Sequence, residues 1–182
     1  MPFQCKDKEW VFPWENEAKQ GHLFIASIST SSVWRYWTRV LRAVELDGVL
    51  VIRYHNRPIG VVGAPFILYS LLQEQRAGQD NDQYRAIKVG VEKALRFVTA
   101  APVKPTLSTR RIEVSAKPKS IAALLREVDA TVVTYRQRRL RAFLLALPAL
   151  ARAWTEPTQT DQLLAWMHKV FEAIYDEPMV AW

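Results

Sequence analysis

The strongest constraint on the fold is a hydrophobic pattern that occurs twice in the chain, 84 residues apart. Each occurrence places apolar residues at positions i, i+3, i+4 and i+7, which is the spacing of one face of an amphipathic helix. The first set is Trp37, Val40, Leu41 and Val44, and the second is Ile121, Leu124, Leu125 and Val128. The fixed separation favours an internal duplication, with an accidental self-alignment of an α+β chain as the alternative.

The elements around the two helices follow the same order. A short strand precedes each helix, a β-hairpin follows it, and a further helix begins at or just after a proline. In the first copy we expect a strand at 25–28, a helix at 33–46, a hairpin at 49–66 with its turn at 54–58, and helices at 66–75 and 82–99. In the second copy we expect a strand at 111–115, a helix at 117–128, a hairpin at 131–145 with its turn at 135–139, a helix at 148–154, a loop around 157 and a last helix from 161.

The junctions between the elements of the first copy form a motif. The helix ends in Val40-Leu41-x-x-Val44-Glu45-x-x-Gly48, the next strand ends in Ile52-Arg53, the turn closes on Arg57-Pro58, and Ile59-Gly60-Val61-Val62 precedes a proline-led helix. Over residues 25–75 this arrangement resembles the Phd/YefM antitoxin family. The resemblance implies a small DNA-binding repressor that dimerises through this module and neutralises a toxin with a C-terminal tail.

The expected architecture combines the duplication with the resemblance. The fold class is α+β, with an N-terminal arm at 1–20 and two tandem Phd/YefM-like repeats at 21–101 and 102–182. A hairpin with one extra strand is too small a sheet to be stable alone. We therefore expect the two repeats to form a single-chain pseudo-dimer with a joint antiparallel sheet, because a tethered partner is present at high effective concentration.

Charge indicates the kind of partner. The chain has a formal net charge of +7, and residues 104–152 contain eleven basic residues against three acidic ones. Guanidinium groups on an exposed turn, here the one expected at 135–139, suit phosphate oxygens. The alternatives to phosphate binding are a turn that is only solvated and a protein that is merely basic. The candidate nucleic-acid-binding residues are Arg35, Arg39, Arg57, Arg110, Arg111, Lys117, Lys119, Arg136, Arg138, Arg139 and Arg141.

The resemblance has a gap at the residues that contact DNA. In the family these residues are basic and lie at the junction of the first strand and its helix. The matching positions here are Ser31 and Trp34 in the first copy, and Ser115 and Pro118 in the second. The gap argues against sequence-specific reading of an operator and leaves backbone-led binding to DNA or RNA open. Double-stranded DNA is the expected partner, with RNA as the alternative.

Other classes of function have weaker support in the sequence. The three histidines are scattered, and no glycine-rich phosphate loop or metal-ligand spacing occurs, so we expect no enzyme activity, metal or cofactor. A single cysteine and the lack of a long apolar run favour a cytoplasmic protein without a membrane contact. The alternative function is a protein-interaction module, either a toxin neutraliser that binds through helix 161–175 or a small subunit of a ribonucleoprotein assembly.

Overall fold

The computed structural model describes residues 12–99, 101–135 and 139–175, without the side chains of Leu46 and Tyr175. The first half contains α1 (Pro13–Lys19), β1 (Phe24–Ser29), α2 (Thr30–Arg35), α3 (Trp37–Asp47), β2 (Gly48–Tyr54), β3 (Arg57–Gly63), α4 (Pro65–Ala77), a 3-10 turn (Asp82–Tyr84) and α5 (Arg85–Leu95). The second half contains β4 (Thr109–Glu113), α6 (Ile121–Glu127), β5 (Ala130–Thr134), β6 (Leu140–Ala146), α7 (Leu147–Thr155) and α8 (Pro157–Tyr175). The fold class is α+β, as predicted.

The strands of the described residues form one six-stranded sheet in the order β1-β2-β3-β6-β5-β4. Its inner pairs are antiparallel, but the outer pairs β1–β2 and β4–β5 are parallel. The prediction of an antiparallel sheet is therefore wrong at both edges. The helices between the paired outer strands return the chain to the end of the sheet from which it started, and such a crossover produces parallel pairing.

Helices cover both faces of the sheet, and each face has its own hydrophobic core. Alternate residues of β2 point to opposite sides, so that Val49 and Val51 join α4, α5, α7 and α8, whereas Leu50 and Ile52 join α1, α2, α3 and α6. The two apolar stripes of the repeated pattern are buried, as predicted, with exposed fractions between 0% and 8%. The sheet is thus the middle of three layers.

The two halves meet at β3 and β6 in the centre of the sheet. Val62 lies opposite Leu144, and the pairs on either side are Val61 with Leu145 and Gly63 with Phe143. Helices also cross between the halves, because α7 packs against β3 and α4 packs against β6. The halves therefore share both the sheet and the core that lies on it.

The helix expected at 82–99 is a 3-10 turn followed by α5, which ends at Leu95. Three other predicted helix boundaries are also wrong, each for a local reason. The helix expected at 33–46 is two helices, since Tyr36 leaves the helical conformation between α2 and α3. The helix expected from 117 begins only at Ile121, where the Ser120 hydroxyl caps it by accepting from the Ala123 amide at 3.1 Å. Pro157, expected in a loop, is the first residue of α8, a position that suits a proline.

The described residues of the N-terminal arm pack against β1 and α3. Phe12 and Trp14 are buried, and their rings stack with centroids 4.7 Å apart. Trp14 also stacks on Phe24 of β1 at 6.0 Å. Glu15 of α1 pairs with Arg39 of α3, so this short helix contributes both apolar contacts and a carboxylate to the neighbouring layer.

A buried carboxylate fixes the start of β5. Asp129 accepts hydrogen bonds from Arg152 Nη2 at 2.9 Å, from Lys104 Nζ at 3.1 Å and from the Ser108 amide at 3.0 Å. Burial alone would raise the pKa of Asp129, but the hydrogen bonds from Ser108, Arg152 and Lys104 hold it below 3.8. The ionised side chain therefore ties α7 and the segment before β4 to the sheet.

Candidate nucleic-acid interface

The break between α2 and α3 creates an exposed basic surface. The Ser29 hydroxyl accepts from the Ser32 amide at 3.1 Å and starts α2, and Tyr36 ends it with φ −112° and ψ 33°. Arg35 ends α2, and Arg39 and Arg42 follow on the first turns of α3. The solvent side of the two helices therefore presents a guanidinium at each successive turn.

Lys117 and Arg139, two residues from the second half, extend this surface. Lys117 and Ser115 line a groove of about 410 Å³ with Arg35 and Arg39. At the other end of α3, Arg139 acts on the same carboxyl, that of Glu45, as Arg42 does. We call the set Arg35, Arg39, Arg42, Lys117 and Arg139 the basic strip.

A hydrogen bond and a ring contact fix one end of the basic strip. Trp37 Nε1 donates to the Val114 carbonyl at 2.9 Å, which holds the segment after β4 against the start of α3. Lys117 Nζ donates to the Trp34 carbonyl at 2.9 Å and lies 3.8 Å from the centroid of the Trp34 ring. An ammonium group has three N–H donors, so two remain for an anion.

Two carboxylates lie along the strip, and each already has a cationic partner. Glu15 accepts from Arg39 Nη2 at 2.5 Å, and Glu45 accepts from Arg141 Nη1. Burial raises the pKa of the Glu45 carboxyl above 4.5, although Arg139 and Arg42 act in the opposite direction. Among the described residues, Arg35, Arg42, Lys117 and Arg139 form no salt bridge, and the Glu45 carboxyl that acts on Arg42 and Arg139 is bound to Arg141.

Arg141, a predicted phosphate contact, is turned into the protein. A β-bulge in the second hairpin pairs Val133 with Ala142 and Thr134 with Leu140, so Arg141 is the extra residue between them. Its guanidinium lies 3.4 Å from the centroid of the Tyr135 ring and binds Glu45. Burial, with a smaller effect of Arg42, lowers the pKa of Arg141 to about 10, and the residue is 8% exposed. It is therefore unavailable to a phosphate.

The other candidate residues do not form one surface. Arg110 and Arg111 are exposed on the edge strand β4, where they line a separate groove with Lys169 of α8. Arg57 is exposed at the tip of the first hairpin. Lys119 is exposed two residues after Lys117, in the segment before α6. Arg136 and Arg138 lie outside the described residues, and so does most of the turn on which they were expected to act.

Arg42 is the member of the strip that the candidate set did not include. A signal was present in the sequence, because Arg35, Arg39 and Arg42 are spaced by four and three residues, which is the spacing of one side of the single helix expected at 33–46. The charge count favoured residues 104–152 instead. The two signals therefore point to different parts of the chain.

The described part of the chain gives little support for a metal site, a catalytic histidine or a membrane span. No group of three or more His, Cys, Asp or Glu side chains is placed there to hold a metal ion. His22 and His168 each contact a carboxylate, Glu17 and Glu172 respectively, and His55 packs edge-on against Tyr54. Among the described helices, none has the length and apolar character that a bilayer crossing requires.

Comparisons with protein-family models, curated proteins and solved structures found no match to this chain. The fold and the strip therefore define the chain only as an α+β protein with a mixed six-stranded sheet and an exposed basic surface. The resemblance to the Phd/YefM family stays a prediction.

Proposed function

We propose that the protein binds nucleic acid through the basic strip and acts as a transcriptional regulator or accessory factor resembling a tandem Phd/YefM repressor. The observation that carries the proposal is a set of four cations, Arg35, Arg42, Lys117 and Arg139, that form no salt bridge among the described residues and come from α2, α3 and two segments of the second half. Phosphate contact would add counter-charge to these cations, of which Arg42 and Arg139 share only the Glu45 carboxyl that also binds Arg141. Double-stranded DNA is the proposed partner.

The mode of binding follows from the residues at the strip. Arginine and lysine side chains hold the phosphate backbone, whereas base reading needs donors and acceptors placed in a groove. Ser31 and Trp34, at the positions that contact DNA in the Phd/YefM family, offer little to a base edge. The proposed binding is therefore strong at low salt and weakly dependent on sequence.

A salt series tests the proposal. Fluorescence polarisation with random double-stranded DNA, single-stranded DNA and RNA should show tightest binding to the duplex DNA. With four phosphate contacts, the logarithm of the association constant should fall with the logarithm of the salt concentration with a slope of about −3 to −4. Tighter binding to RNA would favour the ribonucleoprotein reading, and no binding to any of the three at about 50 mM salt would refute the proposal.

The arrangement of the sheet supports the further proposal that the chain is a duplicated pseudo-dimer. The pairing of β3 with β6 is symmetric about Val62 and Leu144, since Val61–Leu145 on one side corresponds to Gly63–Phe143 on the other. Both hairpins carry a bulge in the same place, after Ile52 and after Val133. Each half also places a helix on the central strand of the other.

A single-chain pseudo-dimer should not need a second copy of itself. Sedimentation equilibrium should give the mass of one chain over a wide range of protein concentrations, because β6 already occupies the edge of β3 where a partner chain would pair. An obligate dimer that dissociates only on unfolding would contradict the pseudo-dimer. It would leave the salt series unaffected, so the two proposals can fail separately.

The surface expected to bind a protein partner is largely buried within the chain. Helix α8 was expected to offer an apolar face to another protein. Its Leu163, Met167 and Phe171 are buried in the core that it shares with α4 and α7. No observation on this helix therefore favours a protein-interaction module, and we do not propose one.

A further inference from the structure

Another groove lies away from the basic strip, at the tip of the first hairpin. Its volume is about 610 Å³, within the range of small-molecule sites. Residues from the hairpin, from the segment after α5, from α6 and from the start of α7 line it, so both halves of the chain contribute. We call it the hairpin groove. Its main lining residues are Tyr54, Arg57, Phe97, Leu125, Arg126 and Leu147.

Two aromatic rings in the hairpin groove are open to solvent. Tyr54 is 44% exposed and Phe97 is 49% exposed, which is unusual for side chains that gain stability by burial. Leu125 and Leu147, which also line the groove, are buried and belong to the two hydrophobic cores. An apolar or aromatic body could therefore contact both the rings and a rigid apolar floor.

The charged groups of the groove have one sign. Arg57 and Arg126 line it, and none of the described lining residues is a carboxylate. Among the described residues, Arg57 has no side-chain hydrogen bond, and Arg126 donates only through Nε, to the Ala122 carbonyl at 3.3 Å. The guanidinium N–H groups that remain are suited to a carboxylate or a phosphate.

The backbone around the groove is fixed by a tight turn and by close packing. His55 and Asn56 both have positive φ, 48° and 62°, which is the conformation of a tight two-residue hairpin turn and fixes Tyr54 opposite Arg57. At Gly60 a Cβ atom would lie 2.7 Å from the Leu145 carbonyl and 2.9 Å from Leu125, so α6 approaches β3 as closely as a glycine allows. A preformed site loses less conformational entropy when a ligand binds.

We propose that the hairpin groove binds a small aromatic anion, with the planar body against Tyr54, Phe97 and the apolar floor and the negative group on Arg57 and Arg126. A nucleotide and an aromatic carboxylic acid share this chemistry. The site does not depend on the proposed nucleic-acid function, since its arginines lie outside the basic strip.

Calorimetric titration of the full chain with AMP and, separately, with indole-3-acetate tests the site. At least one probe should bind, and the double variant Arg57→Gln/Arg126→Gln should weaken that binding at least about tenfold, because each guanidinium makes a charge-assisted hydrogen bond. The probe that binds more tightly distinguishes a nucleotide from another aromatic acid. Both replaced residues are exposed, so the variant should retain the thermal unfolding midpoint of the wild type.

A matched control separates the groove from the strip. Arg35→Gln/Arg42→Gln removes the same charge from the basic strip and should leave probe binding unchanged. The site is refuted if neither probe binds at about 5 mM, a concentration at which even a weak pocket would be occupied. It is equally refuted if the groove variant binds as the wild type does, or if only the strip variant loses affinity.

Discussion

Replacement of Asp129 by alanine should lower the free energy of unfolding by about 3–5 kcal/mol, the usual cost of breaking a buried ion pair. Arg152 is 4% exposed and would lose its carboxylate partner inside the protein. Lys104 and the Ser108 amide would lose an acceptor at the same time. Urea denaturation followed by circular dichroism measures the change.

An exposed ion pair provides the control for Asp129. Arg76 Nε lies 2.8 Å from Asp161 Oδ1, but both side chains are about half exposed, so water screens the pair. Asp161→Ala should therefore shift the denaturation midpoint little. Equal losses in the two variants would mean that the Asp129 network contributes no more than a surface pair.

The contribution of Asp129 also depends on pH. Because its folded pKa is lowered below 3.8, the stabilisation is complete above the unfolded value and is lost as the pH falls through the folded pKa. The difference in stability between the wild type and Asp129→Ala should therefore be largest near neutral pH and shrink below pH 3.8. A difference that stays constant down to pH 2 would contradict the assigned hydrogen bonds.

The second large effect is expected for the triple variant Arg35→Gln/Arg42→Gln/Lys117→Gln, which should weaken binding to duplex DNA about 100-fold at low salt. Each charge-assisted contact to a phosphate contributes roughly 1 kcal/mol or more, and three are removed. The slope of log K against log salt should become shallower by about three. Fluorescence polarisation across a salt series measures both quantities.

A control with the same change in net charge tests whether the strip itself is responsible. Lys93, Arg96 and Lys169 are exposed and belong to α5, its C-terminal end and α8, in the opposite helical layer. Their replacement by glutamine should leave affinity and slope close to the wild type. If this control loses as much affinity as the strip variant, binding follows net charge alone and the strip is not the interface.

The fold could be predicted where burial leaves a periodic signal. The stripe that begins at Trp37, the strand run around Leu50 and the turn at Asn56 each follow from local spacing and residue type. The direction of the outer strand pairs did not follow from the same signals, because it depends on how the intervening helices cross the sheet. The break at Tyr36 was also missed, since the hydrophobic pattern continues on both sides of it.

The candidate site was harder to predict because its parts are distant in the sequence. Arg35 and Lys117 share a groove because Trp37 binds the Val114 carbonyl and Lys117 binds the Trp34 carbonyl, and side-chain bonds to backbone oxygens leave no pattern in the sequence. Arg141 was misjudged for a related reason. Alternation along β6 does not reveal a bulge, and the bulge is what places this arginine against Glu45.

The pairing of β3 with β6 has a consequence for how the chain folds during its synthesis. Strand β3 leaves the ribosome about 80 residues before β6, a delay of about 4–16 s at roughly 5–20 residues per second. During this time the edge formed by Val61, Val62 and Gly63 has no neighbour, and an unpaired apolar edge is the usual starting point for aggregation. Contacts so distant along the chain also slow folding, so this protein should gain more from chaperones than a protein of equal size whose strands pair in order.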